Sequence, residues 1–140
     1  MKYQFHAYGH PNILGTHKAT LEFTKEEELS IKGDCIVGVK SDFELKGLKE
    51  FIKRLKSKKI SITISNGKIH ETMSAEINPD FDDDREFVVR KTNFASKRTF
   101  ATSSNKAAFD LNRNLMNFLK EKSSKISVLL ESSPNDSLKT

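Results

Sequence analysis

The pair Asn66-Gly67, set between Ile60-Ser61-Ile62-Thr63-Ile64-Ser65 and Lys68-Ile69-His70-Glu71-Thr72-Met73, constrains the fold more than any other feature of the chain. Both flanks are rich in β-branched residues and alternate apolar with polar positions, as half-buried strands do. Asn-Gly is the dipeptide favoured in two-residue hairpin turns. A chain with this hairpin contains antiparallel sheet, and the remaining residues must cover at least one of its faces.

Other segments supply that cover. Residues 2–8 predict a first strand, ended by the Gly9-His10-Pro11-Asn12 bend. In Thr16 to Thr24, Ala19, Leu21 and Phe23 alternate with Thr20, Glu22 and Thr24, which turns Leu21 and Phe23 to the core. Gly33-Asp34 leads into a short buried strand, Cys35 to Val39; glycine there predicts a backbone conformation closed to other residues, with Asp34 capping free amides. Further strands are expected at Phe87 to Val89, around Arg98 to Ala101, and from Lys125 to Glu131. Helical spacing of Leu45, Leu48, Phe51, Ile52 and Leu55 predicts a helix over 45–57. A second is expected from hydroxyl caps at Thr102-Ser103-Ser104 to about Lys122, burying Ala107, Ala108, Leu111, Leu115, Phe118 and Leu119.

These elements define an α+β, mainly β fold: a mostly antiparallel sheet curled into a barrel or jelly-roll-like sandwich, with two amphipathic helices packed on it. At 140 residues, with ten Phe and no Trp, the chain suits one core. Residues 1–131 are expected to form a single domain and 132–140 a flexible tail. One cysteine, Cys35, excludes an internal disulfide framework. No apolar run resembles a signal peptide or a membrane span, so the expectation is a cytoplasmic protein without a membrane partner.

The formal charge is +5. Between Lys40 and Lys59 eight basic residues face three acidic ones, a local excess equal to that of the whole chain. Lys46, Lys49, Lys53 and Lys56 form one stripe beside the apolar face of the first helix, a spacing that could track a phosphate backbone; this is the nucleic-acid-binding alternative. A solvated flank is the simpler account of the same stripe.

Candidate chemistry gathers near the N-terminus, where His6, His10 and His17 supply three of the four histidines within twelve residues, beside Asn12. Imidazole can donate to a phosphate or carry a proton near neutral pH. The intervals of four and seven match no standard metal spacing, so no metal site is assigned, and the residues identify no cofactor. The simpler account has these histidines bonding their own backbone in turns. Arg98 to Lys106 combines cations, hydroxyls and an expected helix start, the elements of an anion site, and Lys106, Asp110 and Arg113 project from one side of that helix, which a surface ion-pair ladder explains more simply. The leading expectation is therefore a site for an anionic small molecule or nucleotide-type ligand, open to catalysis. His10 and His17 would transfer a proton oriented by Asp34, while His6, Asn12, Cys35, Arg98, Lys106 and Arg113 line the ligand. Asp82-Asp83-Asp84 lacks the alternation and glycine of a calcium loop and reads as a solvated turn.

Three stretches, FHAYGHPNILGTHKATLEFT, LSIKGDCIVGV and SSNKAAFDLNRNLMNFL, together resemble an archaeal family of domains of unknown function, number 371. The resemblance spans roughly residues 3–130. It implies a mainly β domain of barrel or jelly-roll-like character in an archaeal cytoplasm, and it implies no activity. It also implies acidic residues where Asn105 and Asn112 stand, so a role needing a carboxylate at those positions is not available to this chain.

Overall fold

The hairpin forms, but around a different centre. In a computed structural model describing residues 1–30 and 32–132, β4 (Lys59–Ser65) pairs antiparallel with β5 (His70–Ile77), Ile62 opposite Met73. The tight turn is closed by Asn66 N–H on the Ile69 carbonyl at 3.2 Å, and Gly67, at φ +94°, takes its first central position. The Asn66 side chain accepts from Lys68 and Ile69 N–H at 2.9 and 2.7 Å. Relative to a turn centred on Asn66-Gly67 the register moves by two residues, which leaves every side chain on its expected face.

Around this hairpin run β1 (Lys2–Tyr8), β2 (Thr20–Thr24), β3 (Ile36–Gly38), β6 (Glu86–Arg90), β7 (Thr99–Thr102) and β8 (Lys125–Ser132). They form one eight-stranded sheet in the order β1-β8-β4-β5-β7-β6-β2-β3. Most pairings are antiparallel; β2 with β3 and β6 with β7 are parallel, so the sheet is mixed. The expected barrel is not formed by continuous ladders. The edge strands β1 and β3 come together at a single bridge, where Tyr8 and Val39 exchange both N–H···O bonds at 2.8 Å. Three-residue β3 is too short to extend that bridge into a seam.

The core lies on the inner face of this curled sheet, and its centre is aromatic. Phe87 stacks on Phe100 at 4.3 Å and lies 5.2 Å from Phe5, which meets Phe43 edge-on at 5.3 Å. Helix α1 (Leu45–Arg54) lays Leu48 and Phe51 into this core. It ends three residues earlier than the spacing suggests, so Lys56 lies beyond the helix and the four-lysine stripe is not continuous.

The second predicted helix is also interrupted. Ser104 does not cap it; its hydroxyl donates to the Lys106 carbonyl at 2.7 Å. A single 3-10 turn, Ala108–Asp110, follows. Asn112 then adopts a non-helical backbone, and its side chain accepts from Asn114 and Leu115 N–H to start the six-residue α2 (Arg113–Phe118). Leu115 and Met116 still face the core, which is why the apolar spacing read as one long helix. The tail expected over 132–140 lies, apart from Ser132 in β8, outside the described residues.

Candidate functional site

Two of the N-terminal histidines, His10 and His17, are held in turns by nearby backbone amides. His10 is buried, and its Nδ1 accepts the Asn12 N–H at 3.0 Å. His17 Nδ1 accepts from Ala19 and Thr20 N–H at 3.1 and 3.0 Å, shaping the approach to β2. An accepting Nδ1 leaves the ring proton on Nε2. For His10 that Nε2 lies 3.9 Å from Glu28 and has no hydrogen-bond partner among the described residues. His6 sits on β1 with its Nδ1 3.7 Å from Asp42. Asn12 donates to the Leu29 carbonyl at 2.7 Å.

Asp34 meets His17 through the main chain: its carbonyl accepts the Thr16 and His17 N–H groups, so it caps through backbone and not side chain. Gly33 has no positive φ. The reason for glycine there is space, since a Cβ would lie 2.9 Å from Leu29 Cδ1 and 3.1 Å from Ile36 Cδ1.

The expected cations are mostly engaged elsewhere. Lys106 pairs with Glu71 at 3.0 Å. Arg113 donates to the carbonyls of Leu111, Gly15, Ala108 and Phe109, tying the 3-10 turn to the N-terminal bend. On α1, Lys49 pairs with Asp82 at 2.8 Å beside an open cleft of about 590 Å³ that Lys53, Ile52, Pro79 and Phe81 also line. Lys46 is exposed.

Arg98 leads to a cluster that strand alternation alone conceals. Glu22 projects from β2 on the face opposite Leu21 and Phe23, yet it is only 3% exposed, because this outer face is covered too. Arg98 Nη1 reaches Glu22 Oε1 at 3.3 Å and Glu86 Oε1, on neighbouring β6, at 3.0 Å. Burial first, and then the hydrogen bond with Glu86 and its charge, raise the Glu22 carboxyl to a pKa of about 8. That bond, from a Glu22 that keeps its proton, holds Glu86 below its ordinary range despite partial burial, with help from Arg98 and Arg85. Two carboxyl groups thus hold one proton and one guanidinium. Partial burial opposes the Arg98 charge, but the Glu86 hydrogen bond and both carboxyls outweigh it and strengthen its proton affinity.

Cys35 lies against this pair, its Sγ 3.7 Å from Glu22 Oε1. Burial, then the charges of Glu22 and Asp34, push the thiol up to about 12, so it is not a nucleophile at neutral pH. Glu86 also lines a cleft of about 330 Å³ with Glu26, Asp83, Asp84 and Arg85. Among the described residues no cluster of His, Cys, Asp and Glu has the geometry to hold a metal ion.

Next to Arg98 stands Arg90, at the end of β6. Its Nε donates to Thr99 Oγ1 at 2.9 Å, and its guanidinium lies 5.0 Å from the ring centroid of Phe94. Burial and the neighbouring Arg98 charge lower its proton affinity. Among the described residues no carboxylate lies within ion-pair distance of it, and Phe94 is 60% exposed. Sequence reasoning passed over Arg90 and Phe94; the available signal was an Arg at the end of an apolar strand and a Phe four residues on in an otherwise polar loop.

Fold and cluster together define a class: an α+β, mainly β domain whose mixed sheet carries a polar, arginine-bearing outer face. The chain belongs to the family described as Domain of unknown function (DUF371), whose model matches residues 5–133. It is similar to an uncharacterized protein of the archaeon Methanocaldococcus jannaschii, with 37% identity over 125 residues, 86% of this chain and 93% of that protein. Among the described residues no helix is long and apolar enough to cross a membrane.

Proposed function

We propose that this domain binds a phosphorylated, ring-bearing small molecule of nucleotide type on the outer face of β6 and β7, through Arg90, Arg98 and Phe94. The observation that carries the reading is Arg90: a guanidinium with one neutral hydrogen bond, no carboxylate partner among the described residues, and an exposed phenyl ring against its face. A guanidinium fork suits a phosphate because it offers parallel charge-assisted N–H bonds. The ring offers a face on which a base can stack. Two adjacent guanidinium groups repel each other, and a shared anion relieves that repulsion.

Within this reading the ligand site keeps Arg98 from the expected set and sets it beside Arg90. No proton transfer is assigned to His10 or His17, whose Nδ1 atoms are engaged by backbone amides. Glu22 and Glu86 hold a proton next to the anion and keep Arg98 oriented.

Calorimetric titration with adenosine monophosphate and with inorganic phosphate tests the reading. Both are expected to bind, the nucleotide more tightly, and Arg90→Ala is expected to lower nucleotide affinity at least about tenfold, the worth of a charge-assisted contact. Unchanged affinity in Arg90→Ala and Phe94→Ala refutes it.

A further inference from the structure

Of ten Phe in the chain, two stand out as exposed, Phe94 at 60% and Phe109 at 52%, while the fully buried rings build the core. Each exposed ring has a cation over it. Arg90 lies 5.0 Å from Phe94, and Lys18 and Arg113 lie 5.8 and 6.0 Å from Phe109. The two rings sit on linked segments. Lys91, next to Arg90, pairs with Asp110, next to Phe109, at 2.7 Å. Thr92 and Arg90 carbonyls accept the Ser103 and Ser104 N–H groups, and the Phe109 N–H bonds to the His17 carbonyl. The register Thr20↔Arg90 and Val89↔Ala101 brings the approach to β2 and the ends of β6 and β7 to one end of the sheet.

Resting on the nucleotide reading above, we infer that its natural ligand is a single-stranded polynucleotide, bound across both cation-backed rings, Phe94 and Phe109. One ring with a guanidinium suits one nucleotide. A second, also backed by cations, has no use for a mononucleotide and suits a chain of stacked bases with a phosphate between each. Lys91, paired with Asp110 beside Phe109, is separated from Phe94 by at most about 11 Å of backbone, so only a short stretch of chain joins the two ring-bearing segments. Charge complementarity points the same way, because Lys18 beside Phe109 and Arg90 beside Phe94 have no carboxylate within ion-pair distance among the described residues; Arg113 is held by four backbone carbonyls and adds only its charge. Stacking on phenyl rings tolerates any base, so the partner is defined by strandedness and not by sequence.

The test uses the whole chain, adenosine monophosphate, and a dye-labelled eight-nucleotide strand prepared as RNA and as DNA, read by calorimetry and fluorescence anisotropy. The single strand is expected to bind at least about tenfold more tightly than the mononucleotide and to weaken steeply with salt. Phe109→Ala is expected to weaken the strand by about 5- to 150-fold, the worth of one stacked base, and to leave the mononucleotide unchanged; Phe109→Trp retains strand binding. Phe94→Ala weakens both. A strand that binds no better than the mononucleotide, a Phe109→Ala chain that binds it undiminished, or equal affinity for a duplex overturns this inference while leaving the nucleotide site standing. Failure of both probes to bind overturns both.

Discussion

Replacing Glu22 by Gln removes a titration from the outer-face cluster while keeping its shape, since the amide can still donate to Glu86 and accept from Arg98. In the folded chain Glu22 releases its proton near pH 8 in place of an ordinary 4.5. Between those values the folded state holds a proton that the unfolded state has already lost. The slope of stability with pH follows protons bound when unfolded minus protons bound when folded, so it is negative here and stability falls as pH rises. At about 1.4 kcal/mol for each pH unit between the two values, the loss from pH 4.5 to pH 9 is roughly 4–5 kcal/mol. Glu86 acts in the opposite sense but outside this window: its depressed carboxyl contributes stability that is complete above about 4.5 and lost only in acid. Urea unfolding followed by far-UV circular dichroism at pH 5, 6, 7, 8 and 9 measures the effect. Taking the difference between wild type and Glu22→Gln cancels the titrating groups that do not touch Glu22; Glu86 and Cys35, which do, titrate below and above this range. The variant is expected to gain on the wild type steadily through this range and to be the more stable chain at pH 9. A difference constant to within about 0.5 kcal/mol across the series refutes the shared-proton geometry.

Four further substitutions or reactions probe the rest of the fold. Phe87→Ala empties the centre of the aromatic core, where Phe5, Phe23, Phe43, Phe81 and Phe100 all meet that ring, and should lower unfolding free energy by about 3–5 kcal/mol in urea. Gly9→Ala would set a Cβ 2.2 Å and 2.4 Å from the Glu121 and Leu119 carbonyl oxygens; a loss of about 3 kcal/mol or more is expected in the same assay, and a neutral result would mean this bend packs differently. Asn112→Ala removes the two side-chain caps of α2 and should cost about 1 kcal/mol. Cys35, with its thiol pushed up to about 12, should react with iodoacetamide at pH 8 on the order of 10³ more slowly in the native chain than in urea; equal rates would contradict its burial against Glu22.

Period-2 and helical spacing revealed most of the fold because they report local burial. β1 occupies the residues its pattern predicts, and α1 and β8 begin where expected, since each has one apolar face and a clear breaker beside it. The second helix misled for the same reason. Ala107, Ala108, Leu111, Leu115 and Leu119 are all buried, but a 3-10 turn can bury the first two as well as an α-helix can. What delays the helix to Arg113 is the Asn112 side chain taking the Asn114 and Leu115 amides, together with the Asn112 N–H bond to Glu71, forty-one residues away. That the expected barrel does not close was equally hidden, because closure depends on the length of β3 and on how far its edge meets β1.

The site was less legible, and Glu22 shows why. Alternation says which face of a strand a residue occupies, but not whether that face is wet. Here Arg98, Cys35 and Glu86 cover it, from positions 76, 13 and 64 residues away in the chain, so a residue read simply as the polar half of an alternating strand is buried. Its burial also separates stability from function. A buried carboxylate–guanidinium group is often no more stable than packed apolar side chains of similar volume, and Val88 beside it is already fully buried. Glu22 and Glu86 therefore add little to folding that a pair of aliphatic residues would not supply. What aliphatic residues cannot do is hold Arg98 across the outer face of β6, alongside an Arg90 with no carboxylate partner among the described residues. In the function proposed above, the cluster is the support of the anion site.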